Sequence, residues 1–173
     1  MHSGRVFWIT GLSGSGKTTL ANALLERIEP PRVLLDGDAM RDALSGLESG
    51  YTAAKRLQFA LAYAKLCKLV ASQGITVVCS TVSMFHEVQR WNRAHLPGYV
   101  EIFLKSSVGG CMAHDYKNVY SGASATPVVG VDIMPEWPEN PDFTFIAHSL
   151  RPDDMATAIA GNLKKSTRCN ADG

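Results

Sequence analysis

Residues 5 to 18 read RVFWITGLSGSGKT, and the fold turns on how this stretch divides. Val6 to Thr10 is an apolar run with the length and the β-branched, aromatic composition of a buried strand. Gly11 to Thr18 then reads GLSGSGKT, which is GxxxxGK followed by Thr. The glycines let the backbone fold round a phosphate with its N–H groups pointing inward, at the start of a helix whose dipole favours anions. Lys17 is placed to contact the β- and γ-phosphates of a nucleotide, and the hydroxyl of Thr18 to ligate Mg²⁺. Gly11, Ser13, Gly14, Ser15, Gly16, Lys17, Thr18 and Thr19 are therefore the candidate ATP-binding residues. The alternative is a chance Gly-Ser loop before a helix; the apolar strand on one side and the amphipathic stretch Thr19 to Ile28 on the other speak against it.

Outward from this loop, apolar segments with strand character recur at Arg32 to Leu35, Ile75 to Ser80, Tyr99 to Leu104 and Asp142 to Ala147, each followed by helix or loop. Helical patterns cover Lys17 to Ile28, Ala39 to Leu44, Ala53 to Ser72, Phe85 to Ala94 and Asp153 to Lys164, with Gly74 and Pro97 as stop signals. Alternating strands and helices imply an α/β class, here a P-loop NTPase fold with a five-stranded, mostly parallel sheet covered on both faces. No linker or repeat marks a second domain, so residues 1–173 are expected to form one. The stretch Ser106 to Pro141 is rich in Gly, Ser and Pro and long for a connection, as expected of a lid.

The bulk numbers agree with an enzyme domain and exclude other classes. With 173 residues and 46% hydrophobic content the chain can bury a sizeable core. A formal net charge of +1 gives no basic face for nucleic acid. Cys67, Cys79, Cys111 and Cys169 form no CxxC pair, which argues against structural zinc or a disulfide framework. The start of the chain lacks a signal-peptide pattern, and no run of about 18 apolar residues occurs, so a cytoplasmic protein without membrane contact is expected. His86, His95, His114 and His148 are scattered and suggest no nucleophile triad. A GTP-binding switch would need DxxG and NKxD strings, and neither occurs. A non-catalytic nucleotide-binding protein would keep the loop but have no use for the acidic pair described next.

Val33-Leu34-Leu35-Asp36 supplies an apolar run ending in a carboxylate, as P-loop sites need near Mg²⁺, and Asp38 follows two residues later. In an extended segment both would point the same way, one toward Mg²⁺ and one toward the acceptor hydroxyl. The same residues also fit an Asp-Gly-Asp turn capping the next helix. Arg41, about one turn beyond Asp38, has a planar fork suited to clamping an anion.

FWITGLSGSGKTTLANAL together with LLDGDAMRDAL resembles the adenylylsulfate kinase family, which carries a DGDxxR signature. Further matches are Arg56, STVSMF at residues 80–85, HDYKNVY at 114–120 and PENP at 138–141. The resemblance covers about residues 5 to 165. It implies an enzyme that uses ATP and Mg²⁺ to phosphorylate the 3′-hydroxyl of adenosine 5′-phosphosulfate, a small nucleotide acceptor. It also implies that Lys17, Asp36 and Asp38 are catalytic, and that Thr18 and Asp38 hold the metal. Asp36, Asp38, Arg41, Arg56, Phe59, Ser83, Phe85 and Lys117 are then expected around the acceptor. Lys117 is the one Lys or Arg between Lys105 and Arg151, as suits a cation carried on a lid. Dimers are common in that family, which makes a homodimer an expectation. Arg41 alone also fits pairing with Asp38 or Asp42, and Arg56 a solvated helix charge.

The departures fall where an acceptor would be chosen. Phe59 stands where the family pattern has Asn, and Met84 where it has Pro. In place of a Lys-rich run and an NFTG-like element whose Phe stacks on the acceptor base, the chain has Ser121 to Ser124 and Pro127 to Gly130. A stacking platform is worth about 1–3 kcal/mol per base. The alternative acceptor is thus another 5′-modified nucleotide, such as a cytidine diphosphate derivative of the phosphoramidate type.

Overall fold

The computed structural model describes residues 4–44, 50–114, 119–120 and 127–169. Five strands, β1 (Val6–Gly11), β2 (Arg32–Asp36), β3 (Thr76–Ser80), β4 (Val100–Lys105) and β5 (Phe143–Ile146), form one sheet in the order β2-β3-β1-β4-β5. Every pairing is parallel, with Trp8 opposite Cys79 on one side and Glu101 on the other. All five carboxyl ends therefore lie along the same edge, where open α/β sheets bind ligands.

β1 is central and buried along its whole length, which explains its unbroken apolar run. Its side chains alternate between two cores. Val6 and Trp8 pack with α3 (Ala53–Ala71) and α4 (His86–His95). Phe7 and Ile9 pack with α1 (Lys17–Leu25) and α6 (Pro152–Cys169) on the opposite face. α3 buries Ala60, Tyr63, Ala64, Cys67 and Ala71, the i, i+3, i+4 stripe of a helix laid on a sheet. Its N-cap is Thr52, whose hydroxyl accepts from the Lys55 N–H, and the chain leaves it through Gly74 at φ 87°.

The elements depart from the sequence expectation at their ends. α2 runs from Gly37 to Ala43 and so begins two residues earlier than Ala39, because Asp36 caps it. α1 stops at Leu25 rather than Ile28, and α6 continues past Lys164. A short helix, α5 (Val108–Met112), lies inside the stretch read as a loop, started by Ser107, whose hydroxyl accepts from the Gly110 N–H. Among the described residues no helix is long and apolar enough to cross a membrane.

Candidate active site

The loop between β1 and α1 wraps a hollow at the carboxyl edge of the sheet. Gly14 (φ 77°) and Gly16 (φ 90°) take left-handed conformations, and a Cβ on Gly14 would lie 2.9 Å from the Cys111 carbonyl oxygen. Gly16 caps α1 without any side-chain bond, and the N-terminus of that helix faces the hollow, as suits an anion. Lys17 is largely buried, and its Nζ donates to the Leu12 carbonyl at 2.7 Å. The loop is thus a preformed anion cradle whose cation is tethered to its own backbone.

Asp36 ends β2, and its carboxylate does three things at once. Oδ1 accepts the backbone N–H of Asp38 at 3.1 Å and of Ala39 at 3.5 Å, while Oδ2 accepts the Thr18 hydroxyl at 2.8 Å. The capping turn that the sequence left as an alternative is therefore real, and it coexists with a direct link to the phosphate loop. Asp38 does not extend from a strand beside Asp36, as the two-residue spacing suggested. It sits in the first turn of α2, because Asp36 has already turned the backbone into a helix. Both carboxylates nevertheless line the same cavity.

That cavity, of about 530 Å³, gathers most of the expected residues: Ser13 through Thr19, Asp36, Asp38, Arg41, Arg56, Ser83 and Phe85. Gly11 is buried at the end of β1, where a Cβ would meet the Leu104 carbonyl at 2.6 Å, so its place is in the sheet rather than at the cavity wall. Phe59 is not among the lining residues; it lies beneath Arg41, whose guanidinium carbon is 4.6 Å from its ring centroid. Lys117 and Ser121 to Ser124 lie outside the described residues.

Arg41 reaches the cavity from the end of α2 and Arg56 from the first turn of α3. Among the described residues neither guanidinium forms an ion pair with a carboxylate. Arg56 instead donates through Nε to the Tyr51 carbonyl at 3.1 Å and through a terminal nitrogen to the Pro127 carbonyl. Burial, and then the neighbouring charge of Arg41, pull the Arg56 pKa below its ordinary value. Two like charges held together with no carboxylate partner among the described residues suit an anion receptor.

Several lining residues were not anticipated. Ser80 and Thr81 follow Asp36 across the sheet edge, and Ser80 stands opposite Asp36 in the β2–β3 register. The Ser80 hydroxyl is buried without a partner among the described residues, whereas Thr81 bonds to Ser83 at 2.8 Å. His114 and His148 stack with ring centroids 3.8 Å apart, and His148, at φ 62°, bonds the Gly14 carbonyl oxygen at 2.9 Å. These histidines, read from sequence as scattered, meet at the phosphate loop because the chain beyond α5 and the turn after β5 converge there. The positive φ of His148 has only a weak sequence signal, since His, like Asn and Asp, is merely enriched among non-glycine residues in that region. Parts of the 106–141 stretch also reach the site: the Tyr120 hydroxyl donates to the Ser13 carbonyl at 3.1 Å, and Gly130 packs on Leu12.

The family profile described as adenylylsulphate kinase matches residues 3–146. The chain belongs to the adenylylsulphate kinase family. The adenylyl-sulfate kinase of Deinococcus deserti is 42% identical over 147 residues, 81% of this chain and 80% of its own. The cytidine diphosphoramidate kinase of Campylobacter jejuni is 37% identical over 140 residues, 78% of this chain and 81% of its own. The solved Mycobacterium tuberculosis APS kinase CysC in complex with AMPPNP and APS aligns with a TM-score of 0.83 at 27% identity, over 95% of this chain and 99% of that one. This adenylylsulphate kinase family member is accordingly a phosphotransferase, a nucleotide kinase on a P-loop scaffold.

Proposed function

We propose that this kinase transfers the γ-phosphoryl group of ATP to the 3′-hydroxyl of adenosine 5′-phosphosulfate. The observation that carries the reading is the pairing of a phosphate cradle with two guanidiniums, Arg41 and Arg56, on the walls of one cavity and without carboxylate ion pairs among the described residues. The cradle suits the donor's phosphates, and the guanidiniums suit an acceptor with an acidic 5′ group. A neutral sugar acceptor would give such a pair nothing to bind. The 42% identity to the Deinococcus enzyme supports the sulfate-bearing acceptor.

Thr18 and Asp36 present hard oxygen donors 2.8 Å apart beside the cradle, which fits Mg²⁺ held through few protein ligands and its own waters. Asp38 is the expected third donor. When bound, the ion offsets charge on the phosphate oxygens. The chain's own residues do the rest. The cradle N–H groups and Lys17, released from the Leu12 carbonyl, hold the donor's phosphates. Arg41 and Arg56 fix the acceptor so that its 3′-oxygen faces the γ-phosphorus. Asp36 and Asp38 both line the cavity beside the cradle, and one of these two carboxylates takes the hydroxyl proton. The new 3′-oxygen–phosphorus bond forms as the γ-phosphorus parts from the β-phosphate oxygen, leaving ADP. Residues 1–173 act in this reading as one domain, with Tyr120 and Gly130 of the 106–141 stretch set against the phosphate loop.

A second acceptor is favoured by the 37% identity to cytidine diphosphoramidate kinase together with Phe59 and Met84, which depart from the family pattern. The test is ADP release measured with adenosine 5′-phosphosulfate, cytidine 5′-diphosphoramidate and the plain monophosphates. Turnover with the first supports the proposal. Turnover with the cytidine compound alone replaces it, and turnover with neither removes both.

A further inference from the structure

The guanidinium of Arg41 is held by aromatic rings. Its carbon lies over the Phe59 ring at 4.6 Å and over the Tyr51 ring at 5.0 Å, both inside the range of cation–π attraction. Tyr51 also lies 5.3 Å from the Arg56 guanidinium carbon, so one ring serves both cations. Phe59 stands one helical turn beyond Arg56 on α3 and is braced by Tyr63, with ring centroids 6.0 Å apart.

The kind of anchor matters. A carboxylate would fix Arg41 but would also cancel its charge and occupy its N–H groups. An aromatic face attracts the cation through its quadrupole and leaves charge and donors available. Arg56 is held on the same principle by two backbone carbonyls, which use N–H groups but no charge. Among the described residues both cations are thus positioned by neutral partners, against their mutual repulsion, which leaves their charge for a ligand.

We infer that Phe59 is a positioning residue that acts through Arg41: it holds the guanidinium in place for the acceptor's 5′ anion and itself touches neither nucleotide. This rests on the proposed role of Arg41 at the acceptor. It also gives a physical use to the residue that departs most plainly from the family pattern on α3.

The test is calorimetric binding to the full chain. Adenosine 5′-phosphosulfate and cytidine 5′-diphosphate serve as parallel acceptor-side probes, so that base preference does not decide the outcome, and AMPPNP is the donor-side probe. The variants are F59L, F59Y, R41A and R41A/F59L, with melting temperatures recorded for each. Loss of a cation–π contact corresponds to about a 2- to 30-fold change. F59L should weaken the better-bound acceptor probe within that range and leave AMPPNP unchanged, and F59Y should restore binding. In the R41A background F59L should have no further effect on the probe. A packing role alone would lower the melting temperature and weaken AMPPNP as well. If F59L weakens the probe by the same factor with and without Arg41, the inference is overturned while the acceptor reading stands. If R41A leaves probe binding unchanged, the acceptor reading falls and takes the inference with it.

Discussion

Asp36 has two separable jobs, and substitution can pull them apart. Its Oδ1 caps α2 by accepting the Asp38 and Ala39 N–H groups, and its Oδ2 accepts the Thr18 hydroxyl beside the phosphate loop. Asn caps helices about as well as Asp, whereas Ala does not, and losing such a cap costs about 1 kcal/mol. In a domain of this size that is about a 2–4 °C fall in melting temperature. D36A should therefore melt about 2–4 °C below the wild type, and D36N close to it. Both remove the negative charge from beside Thr18. If that charge supports the reacting phosphates, both should lose turnover by roughly 10²-fold, the scale of deleting one preorganised electrostatic group. The assays are thermal denaturation and coupled ADP release at saturating ATP. Three signs have to agree: D36A unstable and inactive, D36N stable and inactive, and T18A between wild type and D36N in turnover. A D36N protein that turns over within a few-fold of wild type would refute the reasoning and reduce Asp36 to a cap.

The remaining predictions concern the loop and the far end of the sheet. K17A should lose at least roughly 10²-fold in turnover while staying folded, since Lys17 lies in the phosphate loop and belongs to neither of the two cores that flank the sheet; circular dichroism and ADP release check both halves. G16A should cost only the left-handed strain of about 1–2 kcal/mol, because its Cβ meets nothing within 4 Å. G14A should melt lower still, because its Cβ would also press on the Cys111 carbonyl at 2.9 Å. Glu101 is 1% exposed, and its pKa is raised above 4.5 first by burial, against the bonds from Tyr99 and Arg93. The folded state thus holds that proton more tightly than the unfolded chain. Its contribution to stability is full below the ordinary carboxylate pKa and is lost as pH rises through the raised value. E101Q should flatten this slope, seen as a smaller melting-temperature difference between about pH 5 and about pH 7.5 than in the wild type.

What the sequence revealed and what it hid follow from how far each feature reaches along the chain. The central strand and the cradle were legible because their physics is local: an unbroken apolar run marks a strand buried on both faces, and glycines at fixed spacing mark a backbone folded round an anion. α5 was hidden because VGGCM carries two glycines, which weaken any helical pattern; the cap by Ser107 was its one available signal. Asp36 and Asp38 were found by a wrong geometric route, since the extended spacing that would align them is cut short by the cap Asp36 itself provides. Ser80, Thr81 and His114 lie in stretches that match the family, but nothing local marks them as cavity residues, and His148 belongs to no motif; chain segments far apart in sequence bring them together.

The Arg41 holder is the clearest case of this limit. Arg41 is the last-turn cation of α2, Tyr51 precedes the cap of α3, and Phe59 is on its second turn. No periodicity links the three, and each alone reads as a surface charge or a packing aromatic. Their contact appears only when the folded chain places the cation of α2 over two rings, one before α3 and one on it, at the rim of a cavity that a second guanidinium also lines. An enzyme that must bind two anionic nucleotides needs cations kept in place but not paired off, and aromatic faces and backbone carbonyls are the partners that do this without spending charge. Partners of that kind follow no fixed residue type, so this wall of the cavity was the hardest part of the site to read from sequence.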